Sequence, residues 1–142
     1  MEINKVVVPV DFTSTTDKVV DYAVSVAEKL GAEICFLHVV SDFEGYDMML
    51  VHPSFNVLAA DMKEKSENRI AELVETYAGS CGNVEIGDAA EKIVEYAKNE
   101  GADMIIVGTH GAKGLERIIL GSTAERVIKK ASCPVLTFNP LQ

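Results

Sequence analysis

Apolar residues along this chain switch between two periods. Lys5 to Val10 is a β-branched run, the pattern of a strand covered on both faces. Thr13-Ser14-Thr15-Thr16-Asp17 then offers several N-cap candidates, after which Val20, Ala23, Val24, Ala27 and Leu30 keep helical spacing. Gly31 ends that helix as a left-handed cap. Glu33 to Val40 is the second apolar run. Ser41 to Phe55, with Gly45 and Pro53, is irregular and expected to be the most mobile segment. Helical spacing returns from Val57 to Tyr77, with Leu58, Met62, Ile70, Leu73, Val74 and Tyr77 on the apolar side. Gly79-Ser80-Cys81-Gly82 breaks it and leaves Val84-Glu85-Ile86 as a very short third strand. Ala90 to Glu100 is a helix that buries Ile93, Val94 and Ala97 and is capped by Gly101. Met104 to Val107 is the fourth strand. The last helix runs from Ser122 to Ala131, with Ala124, Val127, Ile128 and Ala131 as its stripe. Pro134 stops it, and Val135 to Phe138 is the fifth strand.

Strands rich in Val and Ile that alternate with helices predict a parallel sheet covered on both faces. One local pattern recurs: Leu30-Gly31-Ala32-Glu33-Ile34 resembles Glu100-Gly101-Ala102-Asp103-Met104, which fits one βα unit used twice. The 142 residues make one domain with room for a sizeable core. In such sheets a ligand binds beyond the carboxyl ends of the strands, where the strand order reverses. The loops after Val10, Val40 and Val107 leave those ends.

The loop after Val107 carries the sharpest signal. Gly108-Thr109-His110-Gly111, nine residues, and then Gly121-Ser122 reads Gly-x2-Gly-x9-Gly-Ser, between a buried strand and a helix start. Glycines let backbone N–H groups approach an anion, and a helix N-terminus adds free donors and the positive end of its dipole, so this is a recipe for holding phosphate. Neither a Gly-x4-Gly-Lys-Ser/Thr loop nor a Gly-x-Gly-x-x-Gly after the first strand occurs.

A net charge of −9 argues against a nucleic-acid surface, so bound phosphate must be held by local donors or a metal. Met1-Glu2-Ile3-Asn4 leads straight into the first strand, which is not the pattern of a signal peptide, and no apolar stretch is long enough for a membrane helix. Cys35, Cys81 and Cys133 are odd in number, lack metal-type spacing and fit a reducing cytoplasm. Cys35 reads as core and Cys81, in a glycine-rich loop, as the most exposed thiol.

The chain resembles the universal stress protein family in its ATP-binding branch, over essentially its whole length. The carriers are Val7-Val8-Pro9-Val10-Asp11, Leu37-His38-Val39, the full glycine element, and the tail from Val127 to Leu136. The resemblance implies a three-layer, open, five-stranded parallel sheet in the order 3-2-1-4-5, of the adenine nucleotide alpha hydrolase-like kind. It implies ATP, with Mg, in the crevice and homodimers through the last strand, Val135 to Phe138. Pro9, Val10, Asp11 and Val39 would line adenine and ribose. Val107 and Gly108 would contact the ribose side, and Gly111, Gly121, Ser122 and Thr123 would hold the phosphates. The short third strand, and Ala89 where the family often has proline, are departures from the pattern.

Asp11 can accept from a ribose hydroxyl or an adenine amine, or satisfy its own turn. Ser122-Thr123-Ala124-Glu125 is a capping box, so the Ser122 hydroxyl has a structural as well as a ligand role. His110 donates to a phosphate or steadies the loop, and no partner marks it as a general base. His38 reads as a packed, hydrogen-bonded strand residue. Lys113 and Arg117 meet a terminal phosphate or are simply solvated. The expected function is that of a cytoplasmic regulatory homodimer that binds ATP in stress response. The alternatives are a slow ATPase or autophosphorylating protein using the same pocket, and a dimerisation scaffold without nucleotide.

Overall fold

The five apolar runs pair into one parallel sheet in a computed structural model, which describes residues 1–41, 53–109 and 121–141. In chain order the elements are β1 (Lys5–Pro9), α1 (Thr16–Leu30), β2 (Glu33–Ser41), α2 (Pro53–Thr76), β3 (Cys81–Gly87), α3 (Ala89–Asn99), β4 (Met104–Gly108), α4 (Ser122–Lys130) and β5 (Val135–Phe138). The sheet order is β3-β2-β1-β4-β5, as the resemblance implies. Side chains alternate across each strand, and both faces are covered. Val6, Val8, Phe36 and Ile106 pack with Val20, Ala23 and Ile70 of α1 and α2. Val7, Leu37, Ile105 and Val107 pack with Ile93, Ala97 and Val127 of α3 and α4. That two-sided burial is why the strands carry runs of apolar residues rather than alternating ones.

The repeated glycine pattern repeats in three dimensions. Gly31 and Gly101 adopt φ of 65° and 64°. The following amides, Ala32 N and Ala102 N, donate back to Ala27 O at 2.9 Å and Ala97 O at 2.8 Å. Each turn delivers its strand beside β1: Glu33 N donates to Asn4 O and Asp103 N to Lys5 O, both at 2.8 Å.

The third strand corrects the sequence reading. It is not confined to Val84–Ile86 but spans seven residues, Cys81–Gly87, in register with Cys35 to Ser41. Gly82, which reads as a breaker, is a strand residue chosen for space. A Cβ there would meet the side chains of Ile70 and Val74, where α2 crosses the strand. The register sets Cys81 opposite Cys35, and the two form a disulfide. Cys81 is therefore not an exposed thiol, and the cysteines no longer argue for a reducing compartment. The free thiol is Cys133, half-buried, whose pKa burial pushes up.

Other boundaries shift by a few residues. α2 begins at Pro53, inside the stretch expected to be irregular; proline suits a first turn, where its missing N–H has no helical partner. Residues 42–52 of that stretch lie outside the described residues. Leu58, Met62 and Ile128, expected in the core, are 46%, 43% and 43% exposed. Among the described side chains their helices bury only the line facing the sheet, which is Ser66 and Ile70 in α2 and Ala124 and Val127 in α4.

Candidate functional site

The order reverses beside β1. The chain builds β2 and β3 on one side of it, then crosses to lay β4 and β5 on the other. The crevice beyond the carboxyl ends of β1 and β4 is thus the switch point of the sheet. Register fixes what meets there. Pro9 pairs with Leu37, and Val10 N donates to Leu37 O at 2.8 Å, so continuing the ladder sets Asp11 level with Val39. Val7 pairs with Ile105, which by the same count sets Val10 level with Gly108. The expected adenine and ribose residues Pro9, Val10, Asp11, Val39, Val107 and Gly108 therefore share one rim of the sheet.

At Asp11 the chain leaves β1 and turns through Phe12, at φ 55°. Asp11 Oδ1 accepts three hydrogen bonds, from Thr13 N at 3.1 Å, Thr13 Oγ1 at 2.7 Å and Thr16 Oγ1 at 3.0 Å. That oxygen serves the turn. Among the described residues Oδ2 accepts none, and the side chain is exposed at the rim. Oδ1 thus fills the turn role considered for this carboxylate, and Oδ2 is not used by the turn.

The glycine element closes on itself at its base. Thr109 N donates to Phe138 O, and Gly121 N donates to Thr109 O, both at 2.9 Å. The start of α4 is thereby tied to the ends of β4 and β5. Gly121, not Ser122, is the N-cap, and no side chain among the described residues caps the helix. The capping box expected from Ser122 and Glu125 does not form. Glu125 N donates to Gly121 O at 3.0 Å as an ordinary helical bond, and its carboxylate accepts from Lys129 Nζ at 3.0 Å. The amides of Ser122, Thr123 and Ala124 are then the first-turn donors without helical acceptors. The Ser122 hydroxyl has no partner among the described residues and is exposed. His110 and Gly111, together with Lys113 and Arg117, lie outside the described residues.

Two features of the site were not legible in the sequence. Arg126 of α4 makes a two-pronged ion pair with Asp88, both bonds at 2.9 Å, while Asp88 Oδ2 also accepts from Glu91 N to cap α3. The Arg126 guanidinium holds the Asp88 carboxyl below the usual carboxylate range. This pair fixes α4 against α3 and so helps aim its N-terminus. The second feature is the packing of His38 and Arg69 on the Phe12 ring. His38 is hydrogen-bonded as expected, its Nδ1 lying 2.7 Å from Val10 O. Among the described residues one group of metal-capable side chains gathers, Glu33, Cys35 and Cys81. It sits at the amino ends of β2 and β3, away from the crevice, and its two sulfurs are bonded to each other. No described helix is long and apolar enough to cross a membrane.

Comparisons with known proteins agree with this architecture. The universal stress protein family matches residues 2–139. Universal stress protein MJ0531 of Methanocaldococcus jannaschii is 34% identical over 136 residues, covering 93% of this chain and 79% of that protein. The solved structure of MJ0577, also from Methanocaldococcus jannaschii, superposes with a TM-score of 0.83 at 29% identity, covering 98% of this chain and 97% of that one. A universal stress protein from Archaeoglobus fulgidus, solved in complex with dAMP, shares the fold at a TM-score of 0.57 and 21% identity, covering 96% of this chain and 98% of that one.

Proposed function

The chain belongs to the universal stress protein family, and from that premise we propose that it binds ATP, with Mg, in the crevice at the ends of β1, β2 and β4. The observation that carries this reading is the start of α4. Its N-cap is a glycine, its first-turn amides have no side-chain cap among the described residues, and the Ser122 hydroxyl is not spent on capping. Phosphate supplies the acceptors those donors need. Adenine and ribose then fall along the rim formed by Pro9, Val10, Asp11, Val39, Val107 and Gly108, with Asp11 Oδ2 as the polar anchor. Gly121, Ser122 and Thr123 hold phosphate, joined in this reading by His110 and Gly111. A relative of the same fold solved with dAMP is in keeping with an adenine ligand. The role that follows is regulatory, in stress response, with nucleotide occupancy biasing a partner surface. A cytoplasmic setting belongs to this reading and requires the Cys35–Cys81 bridge to persist against a thiol pool.

Asp11→Asn tests the anchor. Asparagine keeps an oxygen for the Thr13 and Thr16 bonds and replaces Oδ2 by a donor. ATP binding is expected to weaken by roughly 1.5–3 kcal/mol, the scale of a hydrogen bond to a charged group. Inorganic triphosphate binding should hardly change. Equal loss for both ligands in calorimetric titrations would mean that Asp11 acts through its turn or a metal.

The reading also includes a homodimer through β5. Length does not single out that edge, because β3 has seven residues and β5 only four. Charge does: pairing two copies of β3 would bring two Glu85 carboxylates near one another, whereas Val135-Leu136-Thr137-Phe138 carries no charge. The bonds Ile105 N to Pro134 O and Thr109 N to Phe138 O turn the Leu136 amide toward β4 and the Thr137 amide outward. Thr137→Pro, which removes that outward donor, should shift the sedimenting species from dimer to monomer. A monomeric wild type at micromolar concentration, or a folded variant that stays dimeric, contradicts it.

A further inference from the structure

Phe12 is a bulky residue in the left-handed region, at φ 55°, immediately after the proposed anchor. Strain of this kind persists only where the surroundings hold it, and it gathers at ligand clamps. Two side chains hold it here. Its ring packs at 44° against the His38 ring, with centroids 4.8 Å apart. The Arg69 guanidinium, from α2, lies over the ring with Cζ 4.3 Å from its centroid. His38 also grips the residue on the other side of Asp11. Its Nδ1 is 2.7 Å from Val10 O, and since a carbonyl only accepts, Nδ1 carries the proton. The backbone is therefore fixed immediately before and after Asp11, and Asp11 Oδ1 is held by Thr13 and Thr16. The oxygen left over is Oδ2, on an exposed side chain.

We propose that Arg69 is a positioning residue for the Asp11 carboxylate, acting through Phe12. The inference rests on the nucleotide reading above and deepens it, because it assigns support of adenine and ribose recognition, rather than phosphate recognition, to a residue of α2. Arg69 makes no ion pair among the described residues and is exposed, so its contact with Phe12 is the interaction its removal deletes. It suits truncation for the same reason, since its helix is held by Ser66 and Ile70.

The test is a double-mutant cycle on the full chain, with ATP and inorganic triphosphate as probes. Arg69→Ala should weaken ATP about two- to fivefold, the worth of an exposed cation–π contact, and leave triphosphate unchanged. Arg69→Lys, which keeps a cation over the ring, should recover part of the loss. In the Asp11→Asn background Arg69→Ala should cost nothing more, because the group it positions is gone. Additive losses, or equal losses for ATP and triphosphate, overturn the proposal; they would mean that Arg69 touches the ligand itself or only supports the fold. A wild type that does not bind ATP would instead sink the nucleotide reading. The proposal would still be tested without ligand, by hydrogen exchange at Thr13 N, which Asp11 holds. Arg69→Ala should speed that exchange about two- to fivefold, the worth of the same contact, while core amides keep their protection. Unchanged exchange at Thr13 would refute it.

Discussion

Gly121→Val is expected to abolish ATP binding in a protein that still folds. The backbone itself tolerates the change, since φ −57° and ψ 149° are open to any residue. The obstacle is space. A Cβ at this position would lie 3.1 Å from Thr109 O, the acceptor that Gly121 N uses to close the glycine element. Valine adds two methyl groups to that crowding. They press either on the Thr109 carbonyl or into the space a phosphate needs beside the first-turn amides of α4. Either outcome withdraws the donors, and affinity should fall at least about a hundredfold, ~2.7 kcal/mol. Alanine should fall between glycine and valine. Calorimetric titration with Mg-ATP, alongside circular dichroism of the variant, makes the comparison. A folded Gly121→Val protein with unchanged affinity would remove the start of α4 from the site.

The second large effect concerns stability. The Cys35–Cys81 bridge closes a loop with a sequence separation of 46 that contains all of α2. On chain entropy alone a bridge of that span contributes about 4 kcal/mol by restricting the unfolded chain. Urea unfolding of the intact protein with and without a phosphine reductant should show an unfolding free energy lowered by that amount, with the midpoint moved to lower urea. Reduction is a better probe than substitution, because Cys35 is fully buried and a smaller side chain there would leave a cavity. Coincident unfolding curves, or three titratable thiols in the unreduced, denatured protein, would contradict the bridge. The same thiol count on protein trapped in its host cell reports whether the bridge exists in the compartment where the protein acts.

The parts of the fold that were legible in the sequence share a cause. β1 and β4 read as strands because both of their faces are covered, and the helix ends at Gly31 and Gly101 were visible because a left-handed cap selects glycine. The strand order came from the family resemblance, not from periodicity, which carries no information about neighbours. What was missed depends on those neighbours. Gly82 looks like a breaker until α2 is seen to cross it, and Cys81 looks exposed until register sets it against Cys35. Ser122-x-x-Glu125 is the signature of a capping box, yet Gly121 took the cap, and the Glu125 carboxylate went to Lys129. Asp11, Val39 and Gly108 were placed at the site by motif, and the register brings them to one rim. Arg69, Phe12 and the Asp88–Arg126 pair carry no local signal, since each contact joins residues distant in sequence.

The central claim is that the crevice holds ATP. Equilibrium dialysis of the native protein against Mg-ATP, up to about 1 mM, tests it most directly, because a dissociation constant of that size is already a weak −4 kcal/mol or so. Saturable uptake approaching one nucleotide per chain, and lost in Gly121→Val, is the predicted result. A folded wild type that takes up no ATP over that range would contradict the account.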